Sequence, residues 1–512
     1  MKKHYITTPI YYVNDLPHIG HAYTTVAADA LARWRRLCGD DVFFLTGTDE
    51  HGRKIEQAAA RAGRTPLELA DEVVERFHSL WGLLRIENDD FIRTTEERHK
   101  RCAQKLFSAA FENGDIYPGE YEGWYDVREE SFITATRLDE INKLPPEKRP
   151  VLEKIKEECF FFRLSAYRDR LLEHYEKNPG FVMPKERMNE VRSFVESGLK
   201  DLSISRTTFS WGIAVPGHPR HIMYVWFDAL SNYLTAAGYE SDPERFAKTW
   251  PASLHLVGKD ILRFHAVYWP AFLMSAGLAP PERVFAHGWW TVEGEKMSKS
   301  LGNVVSPPEI ADEFGVDAFR YFLMREIPFG SDGDFSRKAL AARINSDLAN
   351  GLGNFASRAL GMVERYFDGA IPEPGEALAE DAPLRRQAGE MTRDFSAAMD
   401  GVAPGKALAS LWKLIGEADR FVEETKPWEM HKKGEKEKLS RVLWTLCEIL
   451  RIVALHSHPF MPAAAGRLWE KLGFENTIGR SGGKETSFEW GALGSGARVK
   501  KGDNLFSRVN EV

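Results

Sequence analysis

Cysteine is scarce in this 512-residue chain, which has four: Cys38, Cys102, Cys159 and Cys447. Widely separated and without a Cys-x-x-Cys pair, they support neither a disulfide framework nor a cysteine zinc knuckle. They read as buried thiols, and no structural zinc is expected. Long hydrophobic runs are missing as well. No segment approaches the ~18 consecutive apolar residues of a membrane-crossing helix, and no cationic, apolar leader stands before the first strand. A cytoplasmic protein with no membrane partner is the expectation. Positive charge is the third shortage. A net charge of -7 and a pI near 6.2 are at odds with the basic surface usual in nucleic-acid-binding domains, so any such contact must use local patches.

What the chain has is length. With an ordinary 43% of hydrophobic residues, 512 residues exceed a single core, and two or three domains are expected. No internal repeat organises them.

Residues 5–21 stand out because strand, polar turn and helix start follow in immediate succession. Tyr5 to Val13 is aromatic and β-branched, Asn14, Asp15 and Pro17 are turn residues, and Ala22 to Arg36 are strong helix formers. His18 and His21 therefore fall in the first helical turn, three apart on one face, with Gly20 leaving room for a ligand near the backbone. Backbone N–H groups and the positive end of the helix dipole favour an anion there. Two imidazoles add donors that tighten as charge develops. A second signal is Lys296-Met297-Ser298-Lys299-Ser300 between Gly294 and Gly302. Lysines and serines on a glycine-flanked loop suit a site that holds phosphates and then releases them.

The remaining chain has a legible order. Residues 1–115 alternate strand and helix, as in a parallel α/β sheet whose ligands bind beyond the carboxyl ends of the strands. Residues 116–211 change to aromatic, turn-rich segments and read as a connective insert. The α/β rhythm resumes over 212–290, with apolar runs at 221–227, 254–257 and 283–287, before the lysine-loop segment 291–338. Residues 339–475 read as a helical bundle, from the three-to-four spacing of Ile344, Leu348, Leu352, Phe355, Ala359 and Met362. Leu408, Leu411, Ile415, Ala418 and Val422 repeat the pattern, as do Leu439, Leu443, Leu446, Leu450 and Val453. The tail, 476–512, is expected to dock back as an extended segment.

His18-Ile19-Gly20-His21 and Lys296-Met297-Ser298-Lys299-Ser300, on a split α/β fold followed by a bundle, resemble a class I aminoacyl-tRNA synthetase. The closer resemblance, over nearly the whole chain, is to the methionyl-tRNA synthetase family. It rests further on Thr8-Pro9-Ile10-Tyr11-Tyr12-Val13-Asn14, Gly47-Thr48-Asp49-Glu50-His51-Gly52, Tyr224-Val225-Trp226-Phe227-Asp228-Ala229-Leu230 and Gly258-Lys259-Asp260-Ile261.

The resemblance implies a Rossmann-like catalytic domain, ATP with Mg²⁺, L-methionine and tRNA(Met). Methionine's side chain would lie among Ile10, Tyr12, Trp226, Ala229, Leu230, Tyr233, Ile261 and His265, with Asp49 pairing its ammonium. Aromatic faces suit a polarisable sulfur. ATP would be held by His18, Gly20, His21, Gly258, Asp260, Lys296 and Lys299, of which His18, His21, Lys296 and Lys299 would act in catalysis. Asn354, Arg358 and Trp428 match the family's anticodon-reading positions, and their types suit stacking on and hydrogen bonding to unpaired bases.

Two departures accompany the resemblance. Many relatives carry cysteine zinc knuckles in the insert, where this chain has no such cluster, and some append a dimerisation module beyond the bundle, so a monomer is expected. Two rivals remain: a class I synthetase for another apolar amino acid, and a non-catalytic RNA-binding relative. Against the first, the insert spans roughly ninety residues, short for a hydrolytic editing domain. Against the second, both signature motifs are intact.

Overall fold

β1 (Lys3–Tyr12) and α1 (Ile19–Leu37) form where the strand-turn-helix pattern predicts them. The computed structural model describes residues 1–13, 16–126, 131–133, 135–146, 149–292, 294–296, 305–479 and 484–510. The chain divides into two units, one of residues 1–17, 41–81 and 87–287, the other of 18–40, 82–86 and 288–512.

The first unit is built on a six-stranded sheet. To β1 it adds β2 (Asp41–Asp49), β3 (Asp90–Arg93), β4 (Val182–Met183), β5 (Leu254–Gly258) and β6 (Val284–His287), in the order β3-β2-β1-β5-β6-β4. Every neighbouring pair is parallel. Crossovers cover both faces of such a sheet, so strands like Leu254-His255-Leu256-Val257 are buried throughout rather than alternating. The order turns back between β1 and β5, the kind of switch point where open α/β sheets bind ligands.

Two local features shape the carboxyl ends of β1 and β2. The pairing runs Thr7↔Leu45 and then Ile10↔Gly47, so Thr8 and Pro9 together oppose Thr46 in a bulge. Proline has no N–H for the ladder, and the extra residue re-aims the side chains of Ile10 and Tyr12 beyond it. At Gly47 a Cβ would lie 2.1 Å from the carbonyl oxygen of Ile92, so only glycine lets β3 approach.

The stretch expected as an insert forms an antiparallel sheet around one long ribbon, paired from Ile116↔Phe162 to Asp126↔Leu152. Val182 and Met183 of the same stretch join the edge of the central sheet as β4. The apolar run 221–227 is divided: its first residues end a strand in a small antiparallel sheet, and the rest opens α2 (Val225–Leu230). A short apolar run cannot distinguish a buried strand from a buried helix. α3 (Asn232–Ala237) follows directly.

In the second unit the buried Arg320 of α4 (Val316–Arg325) donates to the Asp29 carboxylate of α1 at 2.6 Å and to the carbonyl oxygens of Leu84, Pro459 and Phe460. Arg33 meets the same Asp29 oxygen at 2.8 Å. The helical run after Arg337 contains a widened, π-helical stretch, Ile344–Gly353, before α5 (Asn354–Phe367). α6 (Pro404–Thr425), α7 (Pro427–Lys433) and α8 (Lys436–Ser457) follow. The periodic residues of the sequence reading are buried, apart from the half-buried Met362. No helix among the described residues is long and apolar enough to cross a membrane.

The cysteine expectation needs one correction. Cys102, Cys159 and Cys447 are buried, but Cys38 is exposed, because it caps the solvent-facing end of α1.

Candidate active site

The carboxyl ends of β1 and β2 place Tyr12 and Asp49 side by side in the pairing. Ile10 and Tyr12 are half-buried against the apolar core of the first unit, and the Lys54 ammonium lies 5.4 Å from the Tyr12 ring centroid. Asp49 is only 4% exposed. The segment that follows it is heavily braced. The Glu50 carboxylate accepts from Thr48, Thr95 and Arg93 at 2.6–3.0 Å. Its backbone N–H reaches Thr94 Oγ1, and its carbonyl accepts the Trp211 indole at 2.5 Å.

A second wall comes from α2, α3 and the turns after β5. Trp226 lies flat on Phe264, with centroids 3.7 Å apart and planes within 4°. The His265 ring stands edge-on to Trp226 at 6.2 Å. Its Nδ1 is 3.0 Å from the Ile261 carbonyl and must donate to it, so Nε2 accepts the Tyr233 hydroxyl at 2.8 Å. Burial holds His265 down at about 4, and the ring is therefore neutral. Tyr233 also stacks on His255 at 4.1 Å, its hydroxyl lies 3.3 Å from the Thr8 carbonyl, and the Tyr5 hydroxyl donates to the Tyr233 carbonyl. Trp269 donates to His255 Nε2, leaving Nδ1–H for the Thr7 hydroxyl. Burial pushes His255 well below the usual imidazole value. Trp226, Tyr233, Ile261 and His265 are thus brought together, with Ala229 and Leu230 on the same helix as Trp226. The arrangement is an apolar, aromatic cluster with few polar groups, in the same unit as the buried Asp49 carboxylate, and these residue types suit a ligand with an apolar chain and a cationic head.

At the end of β5 the Asp260 carboxylate folds over Gly258, where a Cβ would lie 2.6 Å from Oδ1. The glycine is what lets the Asp260 carboxylate approach the backbone that closely.

His18, Gly20, His21 and Lys296 belong to the second unit. His18 is the N-cap of α1, and its Nδ1 accepts from the Gly20 N–H at 3.1 Å. His21 Nδ1 accepts in return from the His18 N–H at 3.1 Å, closing a reciprocal capping box. The rings stack at 3.9 Å. With both Nδ1 atoms accepting, each neutral ring carries its proton on Nε2, and burial with His18 alongside keeps His21 well below the usual imidazole value. Lys296 closes a short strand, Glu295–Lys296, paired with Trp290–Val292. Lys299 lies outside the described residues.

In the bundle, Asn354 is exposed and Arg358 half-buried on α5. The Arg358 guanidinium meets Glu423 at 2.5 Å and Asp419 at 3.6 Å, both on α6. Lys426, with a positive φ of 45°, ends α6, and Pro427 restarts the chain as α7, carrying the half-buried Trp428.

Sequence reasoning assigned no role to two groups of this site. Phe264 completes the stack on Trp226, and its only local signal is an aromatic residue next to His265. Asp228 accepts from both His51 and His99, at 2.8 and 2.7 Å. Its signal was a carboxylate inside an apolar run, which is costly to bury unless paired. The described residues contain no group of three or more His, Cys, Asp or Glu able to hold a metal ion.

Known proteins resemble this chain over nearly its whole length. The family model described as tRNA synthetases class I (M) matches residues 4–141 and 146–360, and the anticodon binding domain of methionyl tRNA ligase matches 371–512. The chain is 50% identical to the methionine–tRNA ligase of Caldanaerobacter subterraneus subsp. tengcongensis, over 99% of this chain and 79% of that one. It is also 50% identical to the Rickettsia felis methionine–tRNA ligase, over 92% of each. The solved structure of Mycobacterium tuberculosis methionyl-tRNA synthetase in complex with methionyl-adenylate superposes with a TM-score of 0.93 at 45% identity, covering 99% of this chain and all of that one. The chain belongs to the methionyl-tRNA synthetase family of class I aminoacyl-tRNA synthetases.

Proposed function

We infer that the chain activates L-methionine with MgATP, forming methionyl-adenylate and pyrophosphate, and then transfers the methionyl group to the 3′ end of tRNA(Met). The observation that carries this reading is the aromatic cluster of Trp226, Phe264, Tyr233 and His265 in the same unit as the buried Asp49, in a chain that matches the family over nearly its whole length.

The first step is attack of the methionine carboxylate oxygen on the α-phosphorus, with pyrophosphate leaving. No protein nucleophile is needed. The protein's task is to position two anionic reactants and stabilise the charge that develops. Asp49 would pair the α-ammonium, and Trp226, backed by Phe264, would offer its face to the thioether. Ile10, Tyr12, Ala229, Leu230, Ile261 and the Tyr233–His265 pair would complete the slot. The Nε2–H groups of His18 and His21 would donate to the phosphate oxygens beside Gly20. Gly258 and Asp260 would hold the adenosine, and Lys296 and Lys299 the departing pyrophosphate. Mg²⁺ enters with ATP as part of the substrate.

The second step needs tRNA, and Asn354, Arg358 and Trp428 would read its anticodon. The catalytic fold would span 1–115 and 212–290 around the insert 116–211, with the lysine-loop segment at 291–338, the anticodon bundle at 339–475 and the tail at 476–512. A cytoplasmic monomer working without zinc fits this reading.

The test is amino-acid-dependent ATP–pyrophosphate exchange across the standard amino acids. Methionine alone is expected to support rapid exchange. Faster exchange with another apolar amino acid would overturn the substrate assignment, and no exchange with any of them would overturn the enzyme reading.

A further inference from the structure

Asp228 is a deeply enclosed carboxylate next to the proposed methionine slot, 1% exposed, and its carboxylate bonds to imidazoles rather than to the slot residues. Its two oxygens are divided between two imidazoles from distant parts of the chain. Oδ2 takes His51 Nδ1 at 2.8 Å, and Oδ1 takes His99 Nε2 at 2.7 Å. His99 is steadied in turn by Thr235 of α3, whose hydroxyl is 3.3 Å from its Nδ1. Burial would by itself raise the Asp228 carboxyl, but the two imidazoles outweigh it and hold it at about 2. The group is therefore an anion, and its bonds are charge-assisted.

The positions of the partners matter more than the bonds. His51 lies two residues beyond Asp49, and Asp228 lies two residues beyond Trp226 and directly before Ala229 and Leu230. The Asp49–His51 segment is fixed on its other sides by the Glu50 bonds to Thr48, Thr94, Thr95, Arg93 and Trp211. Those ties run to β2 itself, to β3 and the turn after it, and to the loop between two strands of the small antiparallel sheet. The His51–Asp228 bond ties this segment to α2.

We propose that Asp228 is a positioning residue that, through His51 and His99, sets the distance between the carboxylate that takes the amino acid's ammonium and the aromatic wall that takes its side chain. A ligand of methionine's length must satisfy both ends at once, so the spacing between them is itself a specificity element. This rests on the assignment of Asp49 and Trp226 to the two ends of methionine. Asp228 touches neither substrate nor reacting atoms; it acts through the two walls.

The test uses the full-length protein and pyrophosphate exchange. In Asp228→Asn one of the two imidazole N–H groups faces an amide N–H instead of an acceptor oxygen. The KM for methionine is expected to rise on the order of tenfold to a hundredfold, the cost of misplacing a positioning group by about an ångström, while the KM for ATP stays nearly constant. Methionine lacking its α-amine, γ-methylthiobutyrate, engages only the aromatic wall, and its inhibition constant is expected to be nearly unchanged. A purely structural role would lower kcat and raise both KM values together, and that result would overturn the proposal. So would equal weakening of methionine and the desamino analogue.

Asp49→Asn is the control on the underlying assignment. If it leaves the methionine KM unchanged, the ammonium site is wrong and the clasp has nothing to position, whereas a raised KM there with a silent Asp228→Asn overturns the clasp alone. If Asp228→Asn does not fold, His51→Gln and His51→Leu carry the test. The glutamine amide can still donate to Asp228, so His51→Gln is expected to keep a methionine KM well below that of His51→Leu. Equal values in these two variants would overturn the proposal.

Discussion

The tail after the bundle is held by a buried ion pair, and removing half of that pair is a demanding test of how the second unit is stabilised. Arg451 and Glu448 of α8 are both fully buried, with Nη2 and Oε1 2.7 Å apart. Arg451 donates further to the carbonyl oxygens of Glu485, Ser487 and Glu489 at 2.8, 2.5 and 2.8 Å. Glu448 accepts from the backbone N–H groups of Gly491 and Leu493 at 2.8 and 3.1 Å. Arg451→Met keeps much of the volume but leaves Glu448 a buried anion with two amide donors, and strips the donor from three carbonyls. Removing one partner of a buried pair costs about 3–5 kcal/mol. For a cooperative unit of this size, where 1 kcal/mol shifts Tm by roughly 2–4 °C, that corresponds to a fall of roughly 6–20 °C. Differential scanning calorimetry reads the shift, and limited proteolysis is expected to cut the tail between residues 484 and 493 well below the melting temperature. Adding Glu448→Leu removes the orphaned charge and is expected to recover part of the loss; recovery stays partial because the tail amides and carbonyls then lack partners. A melting temperature within about 2 °C of the parent, with the tail still protected, would refute the reasoning, since it would mean that water or a neighbouring group replaces the guanidinium at no cost.

Four further outcomes are expected. Trp428→Ala should weaken tRNA charging by about 1–3 kcal/mol, the worth of one stacked base, while leaving methionine-dependent exchange intact; early melting with loss of exchange would show that Trp428 serves packing instead. Lys299→Ala should slow exchange on the order of 10²–10³, and unaltered single-turnover adenylate formation would remove it from the pyrophosphate site. Homocysteine should support measurable ATP consumption, because rejecting a ligand that lacks one methyl is worth only about 1–3 kcal/mol, and none at all would contradict the slot. Burial holds His265 and His456 at about 4 and His458 at about 3, against a usual 6.5, so all three are neutral in the fold. Their contribution is complete above the unfolded value of 6.5 and is lost as pH falls toward the folded values of about 4 and 3. Each should therefore cost about 1.4 kcal/mol per pH unit within that window, and equilibrium denaturation with a flat stability between pH 6.5 and 4 would show that these rings are already charged.

The sequence by itself determined whatever depends on neighbours a few residues apart. The three-to-four spacing of Ile344, Leu348, Leu352, Phe355 and Ala359 announced a buried helical face because one side of a helix meets the core at that period. His18 and His21 could be placed at a helix start from the turn residues before them and the helix formers after, although their mutual capping through Nδ1, which leaves Nε2 as the donor of each, appears only in the folded turn. Val225, Trp226 and Phe227 show the limit, since apolar character told of burial without telling strand from helix. Sheet order, the bulge at Thr8 and Pro9, and the return of Val182 and Met183 to the central sheet were decided in three dimensions, where crossovers bring remote strands into register. The same holds for Asp228 with His51 and His99, and for Arg451 with the tail. A charge can be buried only where distant chain segments supply its partners, and no local pattern records which segments those will be.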